Sequence, residues 1–185
     1  MKHALVIAFT VFFALGCNDK SGSTDTKTTD TTTASAPMEK MDYPYTLNQP
    51  YQDWQPGDQK HAVNVMKSLK AYENGDINAS VVAFADSVEL MFDGYRDKLS
   101  NDSLKRMFTK SRGELSALKI DMKDWESVIS KDKKDEYVTL WYKEITTDKK
   151  GKTDSLSIVD DLKIVNGKIT LLDQKIQHFP AAKQQ

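Results

Sequence analysis

From residue 58 onward, apolar positions recur first with the spacing of helices and then with that of strands. Asp58 follows Pro56-Gly57 as a favourable N-cap, and Ala62, Val65, Met66, Leu69 and Tyr72 come after it at helical intervals. Gly75 closes this helix as a C-cap residue, and Asp76 caps a short second one through Ile77, Val81, Val82 and Phe84. In SVELMFDG (87–94), Val88, Leu90 and Phe92 alternate with Glu89, Met91 and Asp93, which predicts a strand. Residues 100–102 supply caps for a third helix with Leu104, Met107, Phe108, Leu115 and Leu118 inward. Its outer face carries Lys105, Arg106, Lys110 and Arg112, the composition of a solvated helix surface. Beyond it Leu118, Ile120 and Met122 alternate, and the strand runs on through Trp125, Val128 and Ile129. Segments 136–146, 155–165 and 168–179 complete a meander, turned by KDKKD, TDKKGK and Asn166-Gly167. Three helices followed by four strands predict an α+β domain over 58–180, with a tail at 181–185 and the helices on one face of a curved antiparallel sheet.

The part before residue 58 has no such periodicity. Lys2 precedes an apolar run from Ala4 to Leu15, too short to span a bilayer as a helix, which needs about 20 residues. This is the pattern of a signal peptide over 1–16, cut after Gly16 and before Cys17. Cys17 is the single cysteine of the chain and can form no internal disulfide. ALGC (14–17) resembles a bacterial lipobox, and that resemblance implies a lipidated Cys17 and a membrane partner reached through the N-terminal lipid. Residue 18 is Asn rather than Asp, which by the same resemblance favours the outer membrane, on its periplasmic side or at the cell surface. Residues 17–37 contain no Val, Ile, Leu or aromatic side chain and read as a disordered, Thr/Ser-rich tether. Residues 38–57 bring in Tyr43, Tyr45, Tyr51 and Trp54 among three prolines, and are expected to lie along the domain.

Charge and composition narrow the function classes. With 26 Lys/Arg against 27 Asp/Glu there is no basic excess for nucleic-acid binding. The 39% hydrophobic content suffices for one core in 185 residues, and hardly for two domains.

The runs AYENGDINASVVAFADSVELMFDG (71–94) and WYKE with LSIVDDLKIVNGKITLLDQ, within 141–174, resemble the nuclear-transport-factor-2-like superfamily, including its SnoaL-like and ketosteroid-isomerase-like members. The resemblance covers about residues 58–180. It implies a cystatin-like cone: a strongly curved sheet wrapped around the helices, a pocket at its wide end for a small apolar ligand, and homodimers across the outer sheet face.

The last hairpin decides which side chains line that pocket. A two-residue turn at Asn166-Gly167 in a regular ladder sets Asp160 opposite Asp173, a repulsive pair. A three-residue turn, Val165-Asn166-Gly167, with Gly167 as a bulge, sets Asp160 beside Gln174 and separates charge from core, so it is preferred. The candidate pocket is then Leu69, Tyr72, Phe92, Leu162, Leu172, Gln174 and Ile176, with Asp160 as a candidate acid whose pKa burial would raise. For strand 136–146 two inner sets remain, Tyr137/Thr139/Trp141 and Val138/Leu140/Tyr142.

By the resemblance, Asp160 stands where the isomerase has its oxyanion acid, whereas the general-base and Tyr positions hold Phe92 and Ser68. Asp93, beside Phe92, should face the other way. His61 and His178 lack a matching carboxylate constellation, so no metal is expected, and no glycine-rich phosphate loop or Cys pair points to a cofactor. The favoured expectation is a non-catalytic lipoprotein binding a small apolar ligand or a protein partner. The rivals are an isomerase or lyase using Asp160 as acid, and an assembly protein acting through its outer sheet.

Overall fold

The computed structural model describes residues 42–47 and 52–178. The signal peptide, Cys17, the tether and the tail therefore lie outside the described residues. The chain divides into two units, Met1–Thr46 and Leu47–Gln185. In the first, Tyr43 and Tyr45 are exposed. The described helices and strands all belong to the second.

The elements of the second unit, in order, are β1 (Gln55–Pro56), α1 (Gln59–Glu73), α2 (Ile77–Val81), β2 (Phe84–Phe92), β3 (Tyr95–Ser100), α3 (Asn101–Gly113), β4 (Leu115–Ile129), β5 (Glu136–Asp148), β6 (Thr153–Val165) and β7 (Lys168–His178). The predicted caps form. Asp58 accepts from Lys60 N (2.9 Å), Asp76 from Ala79 N (3.0 Å) and Ser100 from Ser103 N (3.2 Å), each satisfying a backbone donor the helix leaves unpaired. Helix α1 ends on Gly75 at φ 83, with Asp76 N donating to Ala71 O and Gly75 N to Tyr72 O.

The strands form one sheet in the order β1-β4-β5-β6-β7-β2-β3. It is mixed and not strongly curved, where a strongly curved antiparallel sheet was expected. It is mixed because β2 runs parallel to β7, with Leu90 opposite Leu172. The helices cover one face, and Ala62, Val65, Val88, Leu90, Leu104, Leu140 and Ile158 bury there.

Two more elements depart from the alternation pattern. Helix α3 stops at Gly113, so Leu115 and Leu118 belong to β4 rather than to the helix; their three-residue separation is helical, and in β4 a register shift at Ser116 lies between them. A further strand, β3, folds back on β2 through Asp93-Gly94 and pairs Phe92 with Tyr95. Its residues are nearly all exposed, so it carries little hydrophobic signal.

The β6–β7 hairpin reaches the expected outcome by another route. Val165 pairs with Lys168 across a two-residue turn in which Asn166 (φ 52) and Gly167 (φ 73) are both left-handed. The register then shifts between Lys163 and Ile164, because β7 holds one extra residue, Thr170, between Ile169 and Leu171. The bulge therefore sits at Thr170 and not at Gly167. Past it, Leu162 faces Leu172 and Asp160 faces Gln174.

Residues 52–57 do pack on this unit. Gln55 and Pro56 pair with Ile129 and Val128, Trp54 sets its edge on Tyr137 (5.8 Å), and Gly57 N donates to Ser127 O (2.8 Å).

Candidate functional site

Between the helices and the covered sheet face lies a cavity of about 390 Å³. Strand β5 contributes through alternation: Val138, Leu140 and Tyr142 are buried inward, and Glu144 is the next residue of that parity. This settles which of the two inner sets faces the helices. Strand β6 contributes Asp160 and Leu162, and β7 contributes Ile169, Leu172 and Gln174. Phe84 and Phe92 enter from β2, Met107 and Phe108 from α3, and Leu69 and Tyr72 from α1. Tyr95, 40% exposed, marks the rim.

At the polar end Asp160 is only 4% exposed. Tyr142 Oη donates to its Oδ2 (2.8 Å) and Gln174 Nε2 to its Oδ1 (3.0 Å); Gln174 Nε2 also lies 3.4 Å from Tyr142 Oη. Burial pushes the Asp160 carboxyl up to about 6, against the opposing effect of those two hydrogen bonds. Burial, and then the Asp160 charge, raise the Tyr142 phenol well above its ordinary value. Glu144 is half-buried, and no group among the described residues hydrogen-bonds to its carboxylate. Burial and then the Asp160 charge push it up to about 7. Tyr72 is likewise raised to about 12 by burial, Glu144 and, in opposition, Arg112.

The cavity thus holds two carboxyl groups that change charge close to neutrality. One is held by two donors; the other is free to meet a ligand. Such a pair can donate and accept protons at physiological pH, because neither group is locked in one form.

Of the residues expected from sequence, Leu69, Tyr72, Phe92, Asp160, Leu162, Leu172 and Gln174 line this cavity, as does Ser68. Ile176 does not. It keeps the parity of Leu172 and Gln174 but pairs with Ile158, one step beyond the lining residues. Asp93 is outside as well, at the β2–β3 turn with His178 Nε2 at 3.9 Å. His61 sits 3.4 Å from Glu136, away from the cavity lining, and no cluster of three metal-ligating side chains occurs among the described residues. Ser68 Oγ donates to Ser80 O (2.6 Å), which commits its proton to the fold. The residues missed from sequence are Glu144 and Tyr142, together with the rings of Phe84, Phe108 and Tyr95. Parity along β5 was the signal for Glu144 and Tyr142, and it could be read only once Asp160 had fixed the inner face of the neighbouring strand.

No family model matches the sequence, and no curated protein matches it. Solved structures do. The chain is similar to AusH from Aspergillus nidulans, with 16% identity over 66% of this chain and 87% of that one, at a TM-score of 0.54. It is similar to an LEH-like epoxide hydrolase of M. tuberculosis, with 13% identity, 64% and 84% coverage and a TM-score of 0.52. It also matches an NTF2-like protein of unknown function from Burkholderia pseudomallei K96243, with 13% identity, 63% and 90% coverage and a TM-score of 0.50. At these identities the likeness shows the fold alone, an α+β fold that resembles the NTF2-like one.

Proposed function

We propose that this protein is an acid–base enzyme of the isomerase or lyase kind, acting on a small, mostly apolar molecule that carries a carbonyl oxygen. The observation that carries this reading is the presence of two carboxyl groups, Asp160 and Glu144, in one largely apolar cavity. Asp93 stands outside that cavity, and Glu144 supplies the second carboxylate in its place.

The roles follow from the hydrogen bonds. When Asp160 holds a proton, it can donate to Tyr142 Oη and turn the Tyr142 O–H toward a substrate oxygen, where negative charge develops. Glu144, ionised and without a partner among the described residues, takes the proton from the neighbouring carbon and returns it at another position. Gln174 holds the Asp160–Tyr142 pair in place from β7. With Asp160 near 6 and Glu144 near 7, the singly protonated pair carries its proton mainly on Glu144, so the arrangement with Asp160 protonated and Glu144 ionised is its minor tautomer. The rate should still follow a bell with its maximum between those values. The fold accommodates related chemistry: one of the solved structures it matches is an epoxide hydrolase.

The test is deuterium exchange at the α-carbon of small cyclic ketones, cyclohexanone and 2-tetralone, followed by proton NMR in heavy water. The reading expects exchange above the buffer rate, reduced by about 100-fold in Glu144→Gln and also reduced in Asp160→Asn. Buffer-rate exchange with the intact protein would remove it.

The exported, lipid-anchored location rests on the sequence of residues 1–17, with Cys17 as the lipidated residue and the outer membrane as the favoured address. Two or three acyl chains on one residue make a stable anchor, so Cys17→Ala should move the protein from the membrane fraction to the soluble one. A homodimer across the outer sheet face is the further expectation, checked by the molar mass in solution.

A further inference from the structure

The lining of the cavity has a one-sided charge. Among the described residues that line it, two are carboxylic acids and none is Lys, Arg or His. The cations nearest by their effects are engaged elsewhere. Arg112 donates to Glu73 O (3.2 Å) and Leu115 O (3.3 Å) and does not line the cavity. Lys175 bridges Asp161 and Asp173 (2.7 and 2.9 Å), and neither of these lines the cavity. Of the remaining charged groups around Glu144, Glu73 is paired with Lys70 (2.7 Å) and accepts from Ile120 N (3.2 Å), Ile120 being the cross-strand partner of Glu144. Tyr72 and Tyr142 are phenols that stay neutral.

Aromatic rings share the cavity wall with these carboxylates. Tyr72 and Phe108 lie 5.1 Å apart, Phe84 and Phe108 5.8 Å, and Phe92 and Tyr95 6.0 Å, all five contributing to the wall. Ring faces are electronegative and attract a cation within about 6 Å of the centroid. A half-buried carboxylate without a hydrogen-bond donor is poorly solvated, and a positive ligand offsets that cost directly.

We infer that the ligand of this cavity carries a positive charge, a protonated amine on an apolar body, held between the Glu144 carboxylate and the ring faces of Tyr72, Phe92, Tyr95 and Phe108. This inference rests on the cavity being the substrate site and narrows the substrate to molecules with a basic nitrogen. It also explains how Glu144 is kept in the form the reaction needs. A cation beside it favours the carboxylate, which without ligand is only half populated near pH 7.

The experiment is isothermal titration calorimetry of the full-length chain with three probes of one shape: 2-phenylethylammonium, 2-phenylethanol and phenylacetate. At pH 8 the ammonium is expected to bind at least about tenfold more tightly than the alcohol, with phenylacetate weakest. Between pH 8 and pH 6 that preference should shrink by about tenfold as Glu144 takes up a proton. Glu144→Gln should abolish the preference, weakening ammonium binding by about tenfold relative to the alcohol. The pH series on the unmodified protein gives the same answer should the variant not fold. Equal binding of ammonium and alcohol, tighter binding of phenylacetate, absence of binding, or a preference that survives Glu144→Gln would each overturn the inference. Ammonium preference without ketone exchange would defeat the catalytic reading alone; exchange without that preference would defeat this one alone.

Discussion

Asp160 and Gln174 face each other across β6 and β7, Oδ1 to Nε2 3.0 Å, although the turn that joins the strands has only two residues. A regular ladder from that turn would have set Asp160 against Asp173. The extra residue Thr170 moves β7 by one position, exchanging its two faces from Leu171 onward. One unpaired residue thereby gathers Leu172 and Gln174 around the cavity and sends Asp173 to Lys175 on the outer face.

The division of labour between turn and bulge has a measurable consequence. Gly167 has φ 73, and a Cβ there would meet only His61 Cε1 at an ordinary 3.7 Å. Gly167→Ala should therefore cost about 1 kcal/mol of backbone strain and no packing. Because the bulge sets the register, the Asp160–Gln174 pairing should survive. Urea denaturation measures the first, and cross-strand proton contacts in NMR check the second.

Stability should fall as pH rises. Glu144 moves from 4.5 to about 7 and Asp160 from 3.8 to about 6, so the folded chain binds protons more tightly than the unfolded one. The stability present below about pH 4 is progressively lost as pH rises to about 7, by a few kcal/mol in order of magnitude. Glu144→Gln removes one of the two groups and should flatten the decline by roughly half. Urea midpoints at pH 5, 6.5 and 8 for both proteins decide this; a midpoint that rises with pH would contradict it.

Tyr142→Phe tests the buried cluster. Removing the phenol takes one of two donors from a carboxylate that is nearly inaccessible to water. The expected loss is about 1–3 kcal/mol, together with a further upward shift of the Asp160 pKa, since that hydrogen bond holds it down. Carbon-13 NMR of the Asp160 carboxyl through a pH titration reports the shift.

Gly57 is required for close approach. A Cβ there would fall 2.6 Å from Ser127 Oγ and 3.0 Å from the β4 backbone. Gly57→Ala should cost about 1–3 kcal/mol and speed hydrogen exchange at the Gly57 amide, which is bonded to Ser127 O. Unaltered exchange would show that the chain accommodates the methyl group.

How much of this could be read from the sequence differs by element. The helix starts were legible because Asp58, Asp76 and Ser100 act locally, each on an amide two or three residues on. Strand β3 was not, since a strand that buries almost nothing has no alternation to detect. The boundary between α3 and β4 was misplaced because Leu115 and Leu118 continue the helical spacing, while the register shift at Ser116 interrupts alternation at the start of β4. Thr170 gave no signal at all: a bulge is a property of the pair of strands, and nothing in β7 alone marks the unpaired residue. The pairing of Asp160 with Gln174 followed from separating charge from core, so it held even though the device that produces it was assigned to the wrong residue. Glu144 was hidden by a tie between two inner sets, which only the three-dimensional arrangement of β5 and β6 breaks.

The short bridge of Gln55–Pro56 on β4 closes one edge of the sheet, with three strands between β4 and β2. A pull on the chain from its N-terminal side would be taken first by these few hydrogen bonds and the Trp54–Tyr137 contact. They can unzip like a tear strip, leaving the walls of the hollow undisturbed.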